Sequence, residues 1–190
     1  MVETISKKAL TKNKILNAAL VMFQKEGFLG AGMRGFMKQA GLTIGGFYTH
    51  FKSKEDLFVK VVSEMFLKYR TQTDEKLNGL EGRSWVEQFL ELYLGEKHKD
   101  AKLSEGALHL IAVDIPRVGT AARRNFEIEL KVSLSRIEHH LKIAKHPKPR
   151  ETAILIMSLL IGGTSLSDAV QTKELSAEIL KACRNTVLES

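Results

Sequence analysis

Proline is absent from the first 115 residues of this chain and stands only at Pro116, Pro147 and Pro149. Its ring removes a backbone donor and clashes with the preceding turn, so its scarcity leaves long stretches free to run as helix. Apolar residues recur through those stretches every three to four positions, and an all-α chain of about nine helices is expected. With 190 residues, 44% of them hydrophobic, the chain can bury a substantial core. Cys183 is the single cysteine, which excludes an internal disulfide framework and a structural zinc site built from several thiolates. No run reaches the roughly 18 to 20 apolar residues needed to cross a bilayer, and the start has no signal-like apolar region. A cytoplasmic protein with no membrane partner is expected.

The N-terminal third reads as three short helices. Residues 12 to 26 place Ile15, Leu16, Ala19, Leu20 and Phe23 on one stripe, with Thr11 as the expected cap, Gly27 as the stop and Phe28 as an anchor beyond it. Residues 33 to 39 turn Met33, Phe36, Met37 and Ala40 to the same core and end at Gly41. Gly30, Ala31 and Gly32 offer this second helix no side-chain cap. The third segment, IGGFYTHF from Ile44, is expected to be capped by Thr43 and spans barely two turns. Gly45 and Gly46 give it poor propensity, which makes sense where a partner must come very close. Ser53-Lys54-Glu55-Asp56 then forms a capping box that opens a long helix through Leu57, Phe58, Val61, Val62, Met65, Phe66 and Tyr69, ending near Gly79 or Gly82.

Charge singles out the same region. Residues 1 to 60 hold ten Lys/Arg against four Asp/Glu, so that +6 of the formal +7 lies there. A local positive surface suits a polyanion, because neutralising phosphates releases counterions. Two short helices joined by a tight glycine turn, the second exposed, satisfy the helix-turn-helix requirement for entering a major groove. Double-stranded DNA is therefore the expected partner, with residues 1–53 as the binding domain and 54–190 as a second helical domain.

Residues 11 to 58 resemble the DNA-binding region of the tetracycline-repressor (TetR) family of bacterial transcriptional regulators. The resemblance rests on Phe23-x-x-x-Gly27-Phe28, on Ala40-Gly41-Leu42-Thr43, on Gly45-Gly46-Phe47-Tyr48-x-His50-Phe51 and on Ser53-Lys54-Glu55-x-Leu57. It implies a homodimeric repressor that leaves its operator when a small molecule enters the C-terminal domain. It further implies that Thr43 caps the recognition helix and meets a phosphate, that Tyr48 and His50 touch the DNA backbone, and that Lys54 anchors a phosphate. Positions 44 and 46 then lie at the groove face. Ile44 stands where many relatives carry a polar residue; it can meet a thymine methyl but cannot bond guanine. Gly32 replaces the Ser or Thr that often caps the second helix, and Arg34 is the candidate to supply base or phosphate contacts in its place.

Beyond the long helix, Ser84 and Glu87 form an expected capping box for a helix carrying Trp85, Phe89, Leu92 and Tyr93. A helix over 103–115 is expected to end or kink at Pro116. Another runs from Thr120 through Ala121, Phe126, Ile128, Leu130, Val132, Leu134, Ile137 and Leu141, and residues 152–166 and 175–188 close the chain. Met65, Phe66, Tyr69, Trp85, Phe89, Tyr93, Leu110 and Val113 supply enough aromatic and apolar surface for a mostly apolar effector, with His109, Asp114 and Arg117 at a polar end. Any of them can equally be plain core. Asp114, if buried, must stand opposite a base such as Arg117 or Arg123. Residues 153–163 are apolar on more than one face, which points to a two-fold interface through Leu159, Leu160, Gly162, Gly163, Leu180 and Cys183.

Catalytic chemistry is not visible. The six histidines, at 50, 98, 109, 139, 140 and 146, show no metal-ligand spacing, and Ser104-Glu105-Gly106 has neither a neighbouring base nor an elbow context. One subgroup of the resembled family carries a Gly-Cys pair that can act as an electrophile or redox sensor; this chain has Gly106-Ala107 there, which argues against a thiol switch at that position. No enzyme activity, metal or cofactor is expected. Two other functions remain open on the sequence: an activator or nucleoid-associated binder with the same head, and a helical enzyme or scaffold that binds a different polyanion.

Overall fold

The computed structural model describes residues 6–95 and 108–188. Among them nine α-helices and one 3-10 helix account for nearly all regular structure: α1 (Lys7–Gly30), α2 (Met33–Gln39), the 3-10 helix Ile44–Thr49, α3 (Lys54–Lys76), α4 (Gly82–Leu94), α5 (Leu108–Ala112), α6 (Ile115–Val118), α7 (Thr120–Ile143), α8 (Pro149–Ala169) and α9 (Lys173–Leu188). The all-α architecture is the one the apolar periodicity predicts. His98, Ser104-Glu105-Gly106, Gly106-Ala107 and the first part of the helix expected over 103–115 lie outside the described residues.

Several helix ends differ from expectation, each for a local reason. α1 starts one turn early, because Ser6 Oγ accepts from Ala9 N at 3.2 Å, and Thr11 instead donates its hydroxyl to Lys7 O. Gly27 breaks α1 with φ +69°, but a final turn continues to Gly30. The cap before α3 forms with one change: Ser53 Oγ accepts from Asp56 N as a capping box requires, but the Asp56 carboxylate accepts from Lys52 N at 3.0 Å, one residue before the cap. The box expected at Ser84 does not form. α4 opens at Gly82 behind Glu81, Ser84 donates to Glu81 O, and Glu87 pairs with Arg83 instead. Pro116 opens α6 rather than ending a helix, since a first-turn residue needs no backbone donor. On α7, Ile128 and Val132 face outward, while Ala122, Ser133, Leu134, Ile137 and Leu141 are buried.

Two cores result. The first gathers Phe23, Phe28, Phe36, Phe47, Phe51 and Phe58 with the first half of α3, and takes in Ile111, Ile115 and Ala122 from beyond it. The second is built by α4, α7, α8 and α9 around Trp85, Phe89, Leu90, Ile137, Ile156 and Leu180. α3 crosses from one to the other and is stitched to α7 by Arg70–Glu129 at 2.6 Å and by Asn125 Nδ2 donating to Ser63 Oγ at 3.0 Å. By length and composition α8 is apolar enough to cross a membrane, contrary to the sequence expectation. It packs nevertheless as a core helix against α4, α5, α7 and α9, with eight of its residues buried inside the chain.

Candidate nucleic-acid interface

The recognition segment is held from behind by aromatic packing. Phe47 and Phe51 are buried, and Phe47 meets Phe36 of α2 at a ring distance of 5.9 Å. Gly41, at φ +70°, makes the turn from α2, and Leu42 N closes it by donating to Met37 O at 2.9 Å. α2 can approach α1 closely because a Cβ at Gly35 would come within 2.5 Å of Met22 Cε.

This anchoring leaves the opposite side of the segment open. Ile44 and Tyr48 are 42% and 62% exposed, large values for residues beside a packed aromatic core. A Cβ on Gly45 would meet nothing within 4 Å, and one on Gly46 would reach only Met37 Cε at 3.9 Å. The chain's own packing therefore does not demand glycine here. Two sequence expectations change in detail. The segment is a 3-10 helix rather than a two-turn α-helix, and Thr43 occupies the cap position in extended conformation without a side-chain cap bond. Its exposed hydroxyl projects from the start of the segment, Arg34 is exposed on α2, and His50 is half-buried at the segment's end. Lys54 is half-buried: its ammonium sits 4.6 Å from the centre of the Phe28 ring, and burial lowers its pKa, opposed by Glu55 and Asp114.

The expected effector residues fall into three places. Met65 and Phe66 lie in the first core, Phe66 against Phe126. Tyr69, Trp85, Phe89 and Tyr93 form one aromatic column with ring distances of 4.3 to 6.1 Å. His109 and Leu110 sit on α5, Val113 and Asp114 on the turn after it and Arg117 on α6, with Leu110 and Val113 exposed. The column is tightly closed: the void beside it measures about 10 Å³ and is bordered by Tyr69, Thr73, Trp85, Phe89, Ser133 and Arg136. The Tyr69 hydroxyl is buried among the described residues with no hydrogen-bond partner, while Thr73 Oγ1 and Tyr93 OH stand 2.7 Å apart. Burial raises the pKa of both tyrosines, that of Tyr93 to about 12. Sequence reasoning missed His140, whose ring stacks on Trp85 at 4.0 Å and 6°. It missed Thr73 too, although a threonine four residues after Tyr69 on a helix was a visible signal.

Asp114 is buried beside Arg117 as the charge argument requires, at 3.3 Å. Of the residues assigned to a two-fold interface, Gly162 is exposed and Leu159 half-buried. Leu160 and Leu180 are buried in the chain's own second core, and Gly163 lets α9 approach, since a Cβ there would stand 2.7 Å from Cys183 Sγ. Exposed apolar residues on α8 are Ile154, Leu155 and Leu166. Among the described residues no group of three or more His, Cys, Asp or Glu is placed to hold a metal ion.

Residues 15–61 match the family described as bacterial regulatory proteins, tetR family. The chain is 27% identical over 110 residues to a Bacillus subtilis (strain 168) protein named "Probable HTH-type transcriptional regulator YttP", covering 56% of this chain and 53% of that one. It is 39% identical over 56 residues to the HTH-type transcriptional regulator LmrA of the same organism, 29% of this chain and 30% of the relative. The chain thus spans about half or less of these curated relatives. Over nearly its whole length it shares the fold of the reduced form of Escherichia coli NemR, with TM-score 0.80 and 17% identity over 94% of this chain and 95% of that one. A TetR-family transcriptional regulator from Agrobacterium tumefaciens gives TM-score 0.79 and 16% identity over 96% and 98%.

Proposed function

We propose, from the premise that this chain belongs to the tetR family of bacterial regulatory proteins, that it is a dimeric cytoplasmic repressor which binds a two-fold DNA operator and leaves it when a small, mostly apolar molecule enters the C-terminal domain. The observation that carries the DNA reading is the 3-10 helix itself. Its buried face is fixed by Phe47 and Phe51, while Ile44, Gly45 and Tyr48 are turned outward around a glycine that the chain's own packing does not need. A short helix with no side chain at its centre lets the backbone approach a groove, and Thr43, Tyr48, His50 and Arg34 flank it as phosphate or base contacts. Ile44 offers apolar contact to a thymine methyl and no bidentate bond, so readout depends on few base edges.

The test is a mobility-shift titration of the purified protein on duplex DNA from upstream of its own gene, against random duplex, at several salt concentrations. Tighter binding to the upstream duplex, falling steeply with salt, is expected; equal affinity for both duplexes at every salt overturns the reading. A reporter driven from the same duplex separates repression from activation: deletion of the protein raises output in the first case and abolishes it in the second.

A further inference from the structure

The Gly27–Phe28 corner ends the regular part of α1, with Gly27 at φ +69°, and the Phe28 N–H just after it is bonded outside its own helix. The donor is taken up by a residue 86 positions away. Asp114 Oδ2, on the turn between α5 and α6, accepts from Phe28 N at 2.6 Å in a buried setting. Gly27 serves this contact twice: it adopts the positive φ, and a Cβ there would stand 3.0 Å from Asp114 Oδ2.

Asp114 occupies the N-cap position of α6, where an aspartate ordinarily bonds the first free donors of its own helix. Its carboxylate makes no such bond. The chain gives up a local cap for a contact with another element, and a charged acceptor on a buried amide is among the stronger hydrogen bonds available to a fold. Arg117, 3.3 Å away and largely exposed, balances the charge.

Two further contacts give this bond its reach. The Phe28 ring packs on Phe58 at 5.2 Å and lies under the Lys54 ammonium, so the corner touches the first two turns of α3 just after the recognition segment. At the other end of the same segment, His109 Nε2 stands 3.0 Å from Asp168 Oδ2 on α8. Residues 108–118 are thereby tied to α8 at one end and to the DNA-binding head at the other.

We propose that Asp114 is a positioning residue for DNA binding: its carboxylate, bonded to the Phe28 amide, sets the placement of the Gly27–Phe28 corner and of Lys54, and loss of that bond is how movement of α5 and α6 weakens the hold on DNA. The inference rests on the DNA-binding reading above, and it routes the coupling directly into α1 in addition to α3.

The experiment compares wild type, Asp114→Ala and Asp114→Asn in two measurements: binding to the upstream duplex across a salt series, and hydrogen exchange of the Phe28 amide without DNA. Asparagine keeps an acceptor oxygen for Phe28 N, whereas alanine removes it. Asp114→Ala should bind about tenfold more weakly, within the usual range of coupling between sites, and exchange the Phe28 amide faster than wild type. Asp114→Asn should stay close to wild type in both. A purely electrostatic role predicts something else, because both variants remove a negative charge and both would then bind DNA more tightly. Unchanged affinity and unchanged exchange in Asp114→Ala overturn the proposal. If that variant does not fold, the wild type decides: rapid exchange at Phe28 in the folded protein also overturns it. Failure of wild type to prefer the upstream duplex sinks the DNA reading instead, and the exchange measurement still tests the bond.

Discussion

His140 sits flat against Trp85 with its Nδ1 buried and without a partner among the described residues, a setting that disfavours the imidazolium. Burial lowers its pKa, and the charges of His139 and Arg136 push the same way against Glu81. His109 is also lowered by burial, with Asp168 opposing. In both cases the unfolded chain binds the proton more readily than the folded one. The stability they confer is thus complete above the unfolded value of about 6.5 and is lost as pH falls through the depressed folded values. Melting temperature should drop between pH 7.5 and pH 5.5, and His109→Gln with His140→Gln should flatten that drop; an equal drop in the double variant would show that other groups govern it. The residue scale is also where sequence legibility divides. That a buried Asp114 needs a base such as Arg117 or Arg123 beside it followed from charge; its burial and the choice of Arg117 come from the fold. Its bond to Phe28 N did not follow from the sequence either, because a backbone donor is no property of a residue type, and nothing at position 28 marks its amide as free except the neighbouring glycine.

Elements were legible where one face is apolar and less so where two are. α1, α3 and α7 carry single stripes, and their existence follows from spacing. α8 places a branched or apolar residue at nearly every position from 153 to 163, so assigning each to a face needs the fold. The structure turns Ala153, Ile156, Met157 and Leu160 inward, and leaves Leu155, Gly162 and Leu166 along the outside at spacings of seven and four. The proposed two-fold contact accordingly moves onto that outer stripe. Leu155→Lys or Leu166→Lys should convert the dimer to a folded monomer, read by sedimentation with unchanged helical content. Leu160→Lys buries an ammonium in the subunit's own core and should cost several kcal/mol of stability instead. Two folded, fully dimeric outer-stripe variants would place the interface elsewhere. The 3-10 helix yields a second test at this scale. Gly45→Ala has room within the chain and gains helix propensity, so melting temperature should hold or rise slightly while affinity for the upstream duplex falls; undiminished affinity would mean that no partner approaches position 45.

At the scale of the molecule, the sensing reading must accommodate a closed aromatic column. A void of about 10 Å³ beside Trp85 and Phe89 holds roughly one water, far below what an effector occupies. An effector that lodges beside Trp85 and Phe89 has to open the aromatic column, displacing a ring or the Arg136 side chain, which borders the void and is paired with Asp74. The unpartnered Tyr69 hydroxyl offers such a molecule one polar contact inside apolar walls. Opening costs free energy, so affinity is reduced by the small fraction of open protein, and only a ligand that binds the open, DNA-free form more tightly can shift the balance. Trp85 is the only tryptophan in the chain and is stacked between His140 and Phe89, which makes its fluorescence a direct reporter of the column. A compound from a thermal-shift screen of apolar acids, aromatic amines, quinones and dyes should change Trp85 emission and weaken operator binding together. Linkage then fixes a further quantity: operator-bound protein must bind the same compound more weakly by the same factor. A compound that alters Trp85 emission with equal affinity for free and operator-bound protein occupies the column without acting as an effector, and ligands that release DNA while leaving Trp85 unperturbed would place the sensing site outside it.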